Sequence, residues 1–179
     1  MQSLLIFFHC QSNTGYAIEK LENTFFKAAM QLTNGDYNRI HFGYPSMKNG
    51  RAKALPEDFD NYLIINPNNT SSEHTAAVSA YITKHNIDTA MGFDQPTHNP
   101  FYKQIRKAGI STFISYWGAP MSSLYSNPKL LLKRLEVKLR RHGPDHYIFE
   151  SKGMAETAYN GRGIPKSHTH ILSLGVDTQ

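Results

Sequence analysis

The sequence has few of the features that cross-link a protein or anchor it in a membrane. Cys10 is the single cysteine among 179 residues, so neither an intrachain disulfide nor a cysteine-based zinc site is possible. No apolar run approaches the ~20 residues that a membrane-spanning helix needs. Charged residues make up 18% and hydrophobic residues 40%, which is typical of an ordered globular protein. These features predict a globular chain from a reducing compartment, which we expect to be the cytoplasm.

Two further absences concern the start of the chain. Residues 3–10 are apolar, but no basic leader and no small-residue cleavage site accompany them, so we expect a first strand there and no signal peptide. The turn after this run contains only Gly15. It therefore matches neither the G-x-G-x-x-G pattern of dinucleotide folds nor the G-x-x-x-x-G-K-[ST] phosphate loop. We expect no cofactor.

Short apolar runs alternate with amphipathic stretches along the whole chain, a pattern typical of a parallel sheet covered by helices. The predicted fold is α/β: a Rossmann-like three-layer α/β/α domain with a mostly parallel sheet of about seven strands. The predicted strands lie at residues 4–8, 37–44, 62–65, 89–93, 111–116, 146–149 and 170–174. The third is expected to be buried on both faces. The first helix places apolar residues at helical spacing, at Ile18, Leu21, Phe25, Ala28 and Leu32.

In an open parallel sheet, ligands bind beyond the carboxyl ends of the strands. The first such loop contains Thr14, Gly15 and Tyr16, where backbone N–H groups and a helix dipole would face an anion. The alternative for this loop is a tight turn whose glycine only lets helix and strand approach. The residues of this and the later loops that we expect to contact a ligand are Asn13, Asp94, Trp117, Gly118 and Ser151.

Several of these residues have a structural alternative. Trp117 offers an aromatic face to a sugar or base, or it packs under a neighbouring loop. Asp94 holds a sugar hydroxyl or acts as a base, or it caps a helix. Ser151 is also expected to cap a short helix. His168 and His170 share one face, but spacing supplies no third ligand, so we favour a solvent-facing pair and no metal site.

The net charge is +5 and the isoelectric point is near 9.3, which favours anionic partners without choosing among them. The strongest basic segment spans residues 129–141. Leu131, Leu135 and Leu139 form one stripe there, and Glu136 is the only acidic residue. Beyond an ordinary solvated face, the functional interpretation is a membrane-surface patch for anionic lipid, at the inner face of the membrane. Its cationic residues are Lys133, Arg134, Lys138 and Arg141.

The ordered loops resemble the N-terminal domain of retaining glycosyltransferases of the GT-B fold, family 4. The opening strand with T-G-Y at residues 14–16 is similar to that family's first-strand loop. Residues 145–151 (DHYIFES) are similar to its strand that ends on a serine. G-I-P at residues 163–165 and I-L-S-L-G-V-D at residues 171–177 follow in the family's order, with Leu174 where asparagine is usual.

The resemblance implies an acceptor-side domain over residues 1–174 and the start of the interdomain connection at residues 175–179, with the C-terminal donor domain absent. It implies a nucleotide-sugar donor, a glycan or lipid-linked acceptor, and no activity without the C-terminal domain of the same protein. Thr14, Gly15 and Tyr16 would lie near the donor phosphates, and Asn13, Asp94, Trp117, Gly118 and Ser151 around the acceptor. Many relatives carry a histidine after the fifth strand, whereas this chain has Y-W-G-A-P at residues 116–120. No catalytic residue is therefore assigned.

Two other functions compete with this interpretation. The first is a free-standing Rossmann-like binding module, without catalysis, for a partner or a small anionic ligand. The second is a nucleic-acid binder that uses the helix of residues 129–141. We expect no nucleic-acid partner, because few aromatic residues interleave with the basic residues of that helix.

Overall fold

The computed structural model describes residues 3–124, 128–139 and 141–173. The predicted G-V-D motif and the predicted interdomain connection at residues 175–179 lie outside these ranges. Within these ranges the fold is α/β, with seven strands that pair in parallel and alternate with helices, so the predicted fold class is confirmed. The chain divides into two compact units. One comprises Met1–Gly92 and Pro100–Thr112, and the other comprises Phe93–Asn99 and Phe113–Gln179.

The first unit is built on four strands in the order β3-β2-β1-β4. Their bounds are β1 Leu4–Phe7, β2 Ile40–Tyr44, β3 Tyr62–Ile64 and β4 Thr89–Phe93. The helices are α1 Tyr16–Leu32, α2 Ser72–Lys84 and α3 Phe101–Ala108, with a 3-10 turn at Tyr37–Arg39. β1 lies between β2 and β4, and Leu4 is in register with both Ile40 and Thr89.

The second unit carries β5 Thr112–Trp117, β6 His146–Phe149 and β7 Thr169–Ile171, in that order across the sheet. α4 Pro128–Leu139 connects the first two of these strands in sequence. α5 Lys152–Glu156 runs directly into a π-helix at Thr157–Arg162, and a 3-10 turn at Lys166–His168 leads into the last strand. The apolar core of this unit includes Val137, Tyr147, Phe149 and Ile164. None of the helices in the described ranges is long and apolar enough to cross a bilayer.

The third strand corrects a prediction. β3 was expected to be buried on both faces, but Ile64 is 47% exposed while Leu63 is buried. The reason is its position, because β3 pairs with β2 and stands at the end of the strand order. An edge strand has a neighbour on one side only, and its faces are less completely covered than those of a central parallel strand.

The first helix corrects a second prediction. Phe25 is buried as the pattern indicates, but Ala28 and Leu32 are exposed, and the buried face of α1 also contains Glu22 and Ala29. Glu22 is fully buried, and the Tyr44 hydroxyl offsets part of the cost by donating to its Oε1 atom at 2.7 Å. Its Oε2 atom is buried without a hydrogen-bond partner. The spacing of apolar residues in α1 assigns the charged Glu22 to the surface, but the structure buries it with a hydrogen-bond partner.

Candidate functional site

The turn between β1 and α1 belongs to the first unit and ends on Gly15. This glycine caps α1 with φ 142° and ψ 168°, and no side chain bonds the helix's first N–H groups. Its carbonyl accepts from the N–H groups of Ile18 and Glu19 at 3.0 and 3.1 Å. Thr14 and Tyr16 are both exposed, and Tyr16 is 79% exposed. The start of α1 is therefore accessible, as an anion site at a helix N-terminus requires.

Asn13 holds this turn against the long loop after β2. Its side-chain Nδ2 donates to the carbonyls of Asn49 and Arg51 at 2.9 and 2.7 Å. Its Oδ1 accepts from the N–H of Lys53 at 2.9 Å. Both amide hydrogens are therefore engaged within the protein. The acceptor-binding role of Asn13 stays a prediction. Its observed hydrogen bonds join the turn before α1 to the loop after β2.

The backbone of Gly15 gives a first testable prediction. Its φ and ψ lie in a region that only glycine adopts without strain, so Gly15→Ala should lower the free energy of unfolding by about 1–3 kcal/mol. Space is not the cause, because a Cβ atom here would meet nothing within 4 Å. Urea denaturation measures the loss. Gly153→Ala, at an equally open helical position, should be neutral or stabilising. Equal stabilities of the two variants would contradict the prediction.

In the second unit, Asp94 holds two backbone positions next to each other. It has φ 50°, and its N–H donates to the carbonyl of Tyr116 at 2.7 Å. Its Oδ1 accepts from the N–H of Gly118 at 3.3 Å. The alternative that Asp94 caps a helix is wrong, because the next helix begins only at Phe101. Asp94 and Gly118, both predicted as acceptor-binding residues, are thus in direct contact.

Trp117 is half-buried, and its indole has partners of its own. The ring stacks on Phe149 with centroids 6.5 Å apart, and its Nε1 donates to the Ser115 hydroxyl at 2.8 Å. That hydroxyl in turn donates to the carbonyl of Gln95 at 2.8 Å. These contacts favour the structural alternative for Trp117, in which the indole packs on the core of the unit. A role in ligand binding is left to its exposed edge and stays a prediction.

The structure also brings together two residues that the sequence did not single out. The Tyr116 hydroxyl donates to Oε1 of Glu150 at 2.9 Å. Burial, together with this hydrogen bond and the charge of Glu150, holds the pKa of Tyr116 well above its usual range. A Cβ on Gly118 would lie 3.6 Å from the same Glu150 oxygen. Gly118 therefore lies next to two carboxylates: Asp94 accepts from its N–H, and Glu150 lies where its side chain would begin.

Ser151 follows Glu150 and caps α5, as predicted. Its hydroxyl oxygen accepts from the N–H of Met154 at 3.3 Å, and the residue is exposed. A capping serine uses its oxygen as an acceptor, so its O–H is left as a donor. Ser151 can therefore keep the cap and donate to a ligand at the same time.

The loops that follow β4, β5 and β6 thus bring two carboxylates next to an exposed glycine, and the hydroxyl of Ser151 follows the second carboxylate in sequence. Carboxylates accept hydrogen bonds from hydroxyl groups, and these bonds are stronger than those between neutral groups. An exposed glycine beside them gives a ligand access to the backbone. The arrangement is suited to a neutral ligand that is rich in hydroxyl groups. Within the described ranges, no group of three or more histidine, cysteine, aspartate or glutamate side chains is placed to hold a metal ion.

The signal that would have identified Glu150 was present but incomplete. The residue stands directly after a predicted strand, in one of the loops that a parallel sheet presents to ligands. Its partner depends on the register between β5 and β6, in which Tyr116 pairs with Ile148. No sequence pattern gives that register.

A comparison with protein-family models finds no match to this chain, and neither does a search of the curated proteins.

Proposed function

We propose that this chain is the acceptor-side domain of a retaining glycosyltransferase. It would bind a glycan or lipid-linked acceptor and work with a domain that holds a nucleotide-sugar donor. The observation that carries the proposal is the pair of carboxylates next to Gly118. Asp94 and Glu150 lie at the carboxyl ends of parallel strands, where this class of fold binds its ligands. The resemblance of the T-G-Y, serine and G-I-P motifs to glycosyltransferase family 4 supports the same function.

Each residue has a proposed role that follows from its chemistry. Asp94 and Glu150 would accept hydrogen bonds from acceptor hydroxyls, and Ser151 would donate one. In the first unit, the exposed start of α1 at Gly15 and Tyr16 would contribute backbone N–H groups to the donor phosphates. We assign no catalytic base or nucleophile, and the proposal includes no metal.

The proposal is tested with the full product of the gene that encodes this chain. It is incubated with UDP- and GDP-sugars and a panel of glycan and lipid-linked acceptors. Release of nucleoside diphosphate is followed, and the anomeric configuration of the product is read by NMR. We expect transfer with retention. A protein that neither binds nor turns over any nucleotide sugar would overturn the proposal, and binding of inorganic phosphate alone would favour the non-catalytic binding module.

Glu150→Gln provides the specific test of the acceptor site. The glutamine oxygen still accepts from the Tyr116 hydroxyl, so the fold is retained, but the charge that strengthens bonds to hydroxyls is lost. We expect the KM for the acceptor to rise about tenfold, which corresponds to one charge-assisted hydrogen bond, while the KM for the donor is unchanged. Glu57→Gln, at an exposed loop position in the first unit, is the matched control. An unchanged acceptor KM in Glu150→Gln would remove Glu150 from the site.

A further inference from the structure

The helix α4 has apolar residues on two opposite faces. Leu130 and Val137 are buried, with 4% and 5% exposure, and attach the helix to its unit. Four other leucines point away from these two and are 51–70% exposed: Leu131, Leu132, Leu135 and Leu139. At 100° per residue these four cover an arc of about 100° that is centred opposite the buried residues. We refer to them as the leucine face.

The leucine face is bordered by positive charge. Lys129, Lys133 and Lys138 are exposed on the same helix. The only acidic residue of α4, Glu136, lies 3.3 Å from the guanidinium of Arg162, at the end of the π-helix. The charge of Glu136 is thus paired with that of Arg162, whereas the three lysines are exposed.

The sequence predicted Arg134 as a cationic residue of the membrane-surface patch, but its guanidinium bonds backbone carbonyls of the protein. Its Nε donates to the carbonyl of Gly161 at 2.9 Å, and its Nη2 donates to the carbonyl of Asn160. The side chain therefore links α4 to the π-helix, and only its edge is accessible. The basic border of the leucine face consists of the three lysines, with Arg141 exposed just beyond the helix.

An apolar groove runs along the leucine face. Its volume is about 330 Å³, and it is lined by Leu131, Leu132, Arg134, Leu135, Lys138 and Gly163. The groove places aliphatic walls beside two cationic side chains. That combination matches an amphiphile whose acyl portion is apolar and whose head group is negatively charged.

We propose that α4 docks on the surface of a lipid bilayer that contains anionic lipids. The leucine face enters the boundary between head groups and acyl chains, and Lys129, Lys133 and Lys138 extend to the lipid phosphates. Charge complementarity selects this occupant, because exposed lysines on both flanks of a helix with an apolar face fit a negatively charged surface. The inference stands on α4 alone and does not depend on glycosyl transfer.

The test is co-sedimentation of the whole chain with vesicles. We expect it to bind vesicles of 70% phosphatidylcholine and 30% phosphatidylglycerol, and to bind pure phosphatidylcholine far more weakly. Lys133→Glu/Lys138→Glu should lower the partition coefficient by at least about 25-fold, since each lysine near an anionic surface contributes about fivefold. Leu131→Ser/Leu135→Ser should lower it by at least about tenfold. Both pairs are exposed, so circular dichroism should remain unchanged.

Matched controls come from the other unit. Leu32→Ser replaces a leucine that is 66% exposed at the end of α1, and Lys84→Glu/Lys103→Glu reverses two exposed charges on α2 and α3. These variants should bind vesicles like the original chain. The proposal is overturned if the original chain does not sediment with anionic vesicles, or if the Leu131/Leu135 variant binds as well as the original. It is also overturned if sedimentation velocity reveals a dimer that the leucine substitutions abolish, because the occupant is then a second copy.

Discussion

Tyr44→Phe is expected to lower the free energy of unfolding by about 2–3 kcal/mol at pH 8.5 and by clearly less at pH 4.5. The substitution removes the hydroxyl that donates to the buried Glu22 at 2.7 Å. The second oxygen of that carboxyl is already buried without a partner, so the variant leaves the whole group unsatisfied. A buried carboxylate without a donor costs more than a buried neutral carboxyl. The loss should therefore depend on pH.

The sign of this pH dependence follows from the pKa of Glu22. Burial raises that pKa above its ordinary value of 4.5, and the Tyr44 hydrogen bond opposes the rise. Stability contributed by a group with a raised pKa is complete below pH 4.5 and is lost as the pH rises through the folded value. Removing the hydrogen bond raises the folded pKa further, so the difference between variant and original grows with pH. His41, whose pKa is lowered to about 4 by burial and by His85, is common to both proteins and cancels.

A second substitution separates the hydrogen bond from simple loss of packing. Glu22→Met/Tyr44→Phe removes both polar groups, and we expect it to be more stable at pH 8.5 than Tyr44→Phe alone. Tyr16→Phe, at an exposed tyrosine, should stay within about 0.5 kcal/mol of the original chain. Urea denaturation at the two pH values gives all the required free energies. A loss that is equal at pH 4.5 and pH 8.5 would show that Glu22 is not its source.

Gly43→Val should be the most damaging single substitution in the first unit, with a loss of about 3 kcal/mol or more. Gly43 lies in β2 and pairs with Phe7 of β1 and Leu63 of β3. A Cβ on it would lie 2.8 Å from Cβ of Phe7 and would overlap Cγ2 of Ile65. The Phe7 atom is fixed to a central strand and cannot rotate away, so the strands themselves would have to shift.

Gly43→Ala provides a graded version of the same test, because it adds only the overlapping Cβ. We expect a loss of about 1–3 kcal/mol that is measurable by urea denaturation even where the valine variant fails to fold. Gly153→Val, at a position where a Cβ meets nothing within 4 Å, should change stability little. Similar midpoints for Gly43→Ala and the original chain would mean that β1 and β2 separate more easily than their contacts indicate.

The parts of the fold that sequence could predict are those governed by local rules. Ser71 caps α2, with its hydroxyl accepting from the N–H of His74, and the Asn34-Gly35 pair follows the end of α1. Alternation of apolar runs and amphipathic stretches was enough to predict a mostly parallel sheet of about seven strands. The burial of Glu22 was not predictable, because it depends on a tyrosine in another element.

The candidate site was also predictable from sequence in part: its loops were, and its contacts were not. The rule that ligands bind beyond strand ends selected the loops of Asp94, Gly118 and Ser151 without knowledge of any contact. The contacts themselves depend on strand register, which places Tyr116 against Glu150 and gives Asp94 the backbone of Gly118. For Trp117, the sequence left two alternatives open. A lone tryptophan beside a glycine was compatible with ligand binding or with packing. The structure shows that the indole of Trp117 packs on Phe149.

The hydrogen bonds by which Asn13 joins two loops have a consequence for how the first unit moves. The Asn13 amide joins residues 40 positions apart in sequence, and Ser12 adds a bond from its hydroxyl to the carbonyl of Gly50 at 2.7 Å. Two loops tied at so many points open together or not at all, as one cooperative unit of local unfolding. Hydrogen exchange at the Lys53 amide therefore reports on the turn before α1. An anion that settles on that turn would slow exchange in a loop that it never touches.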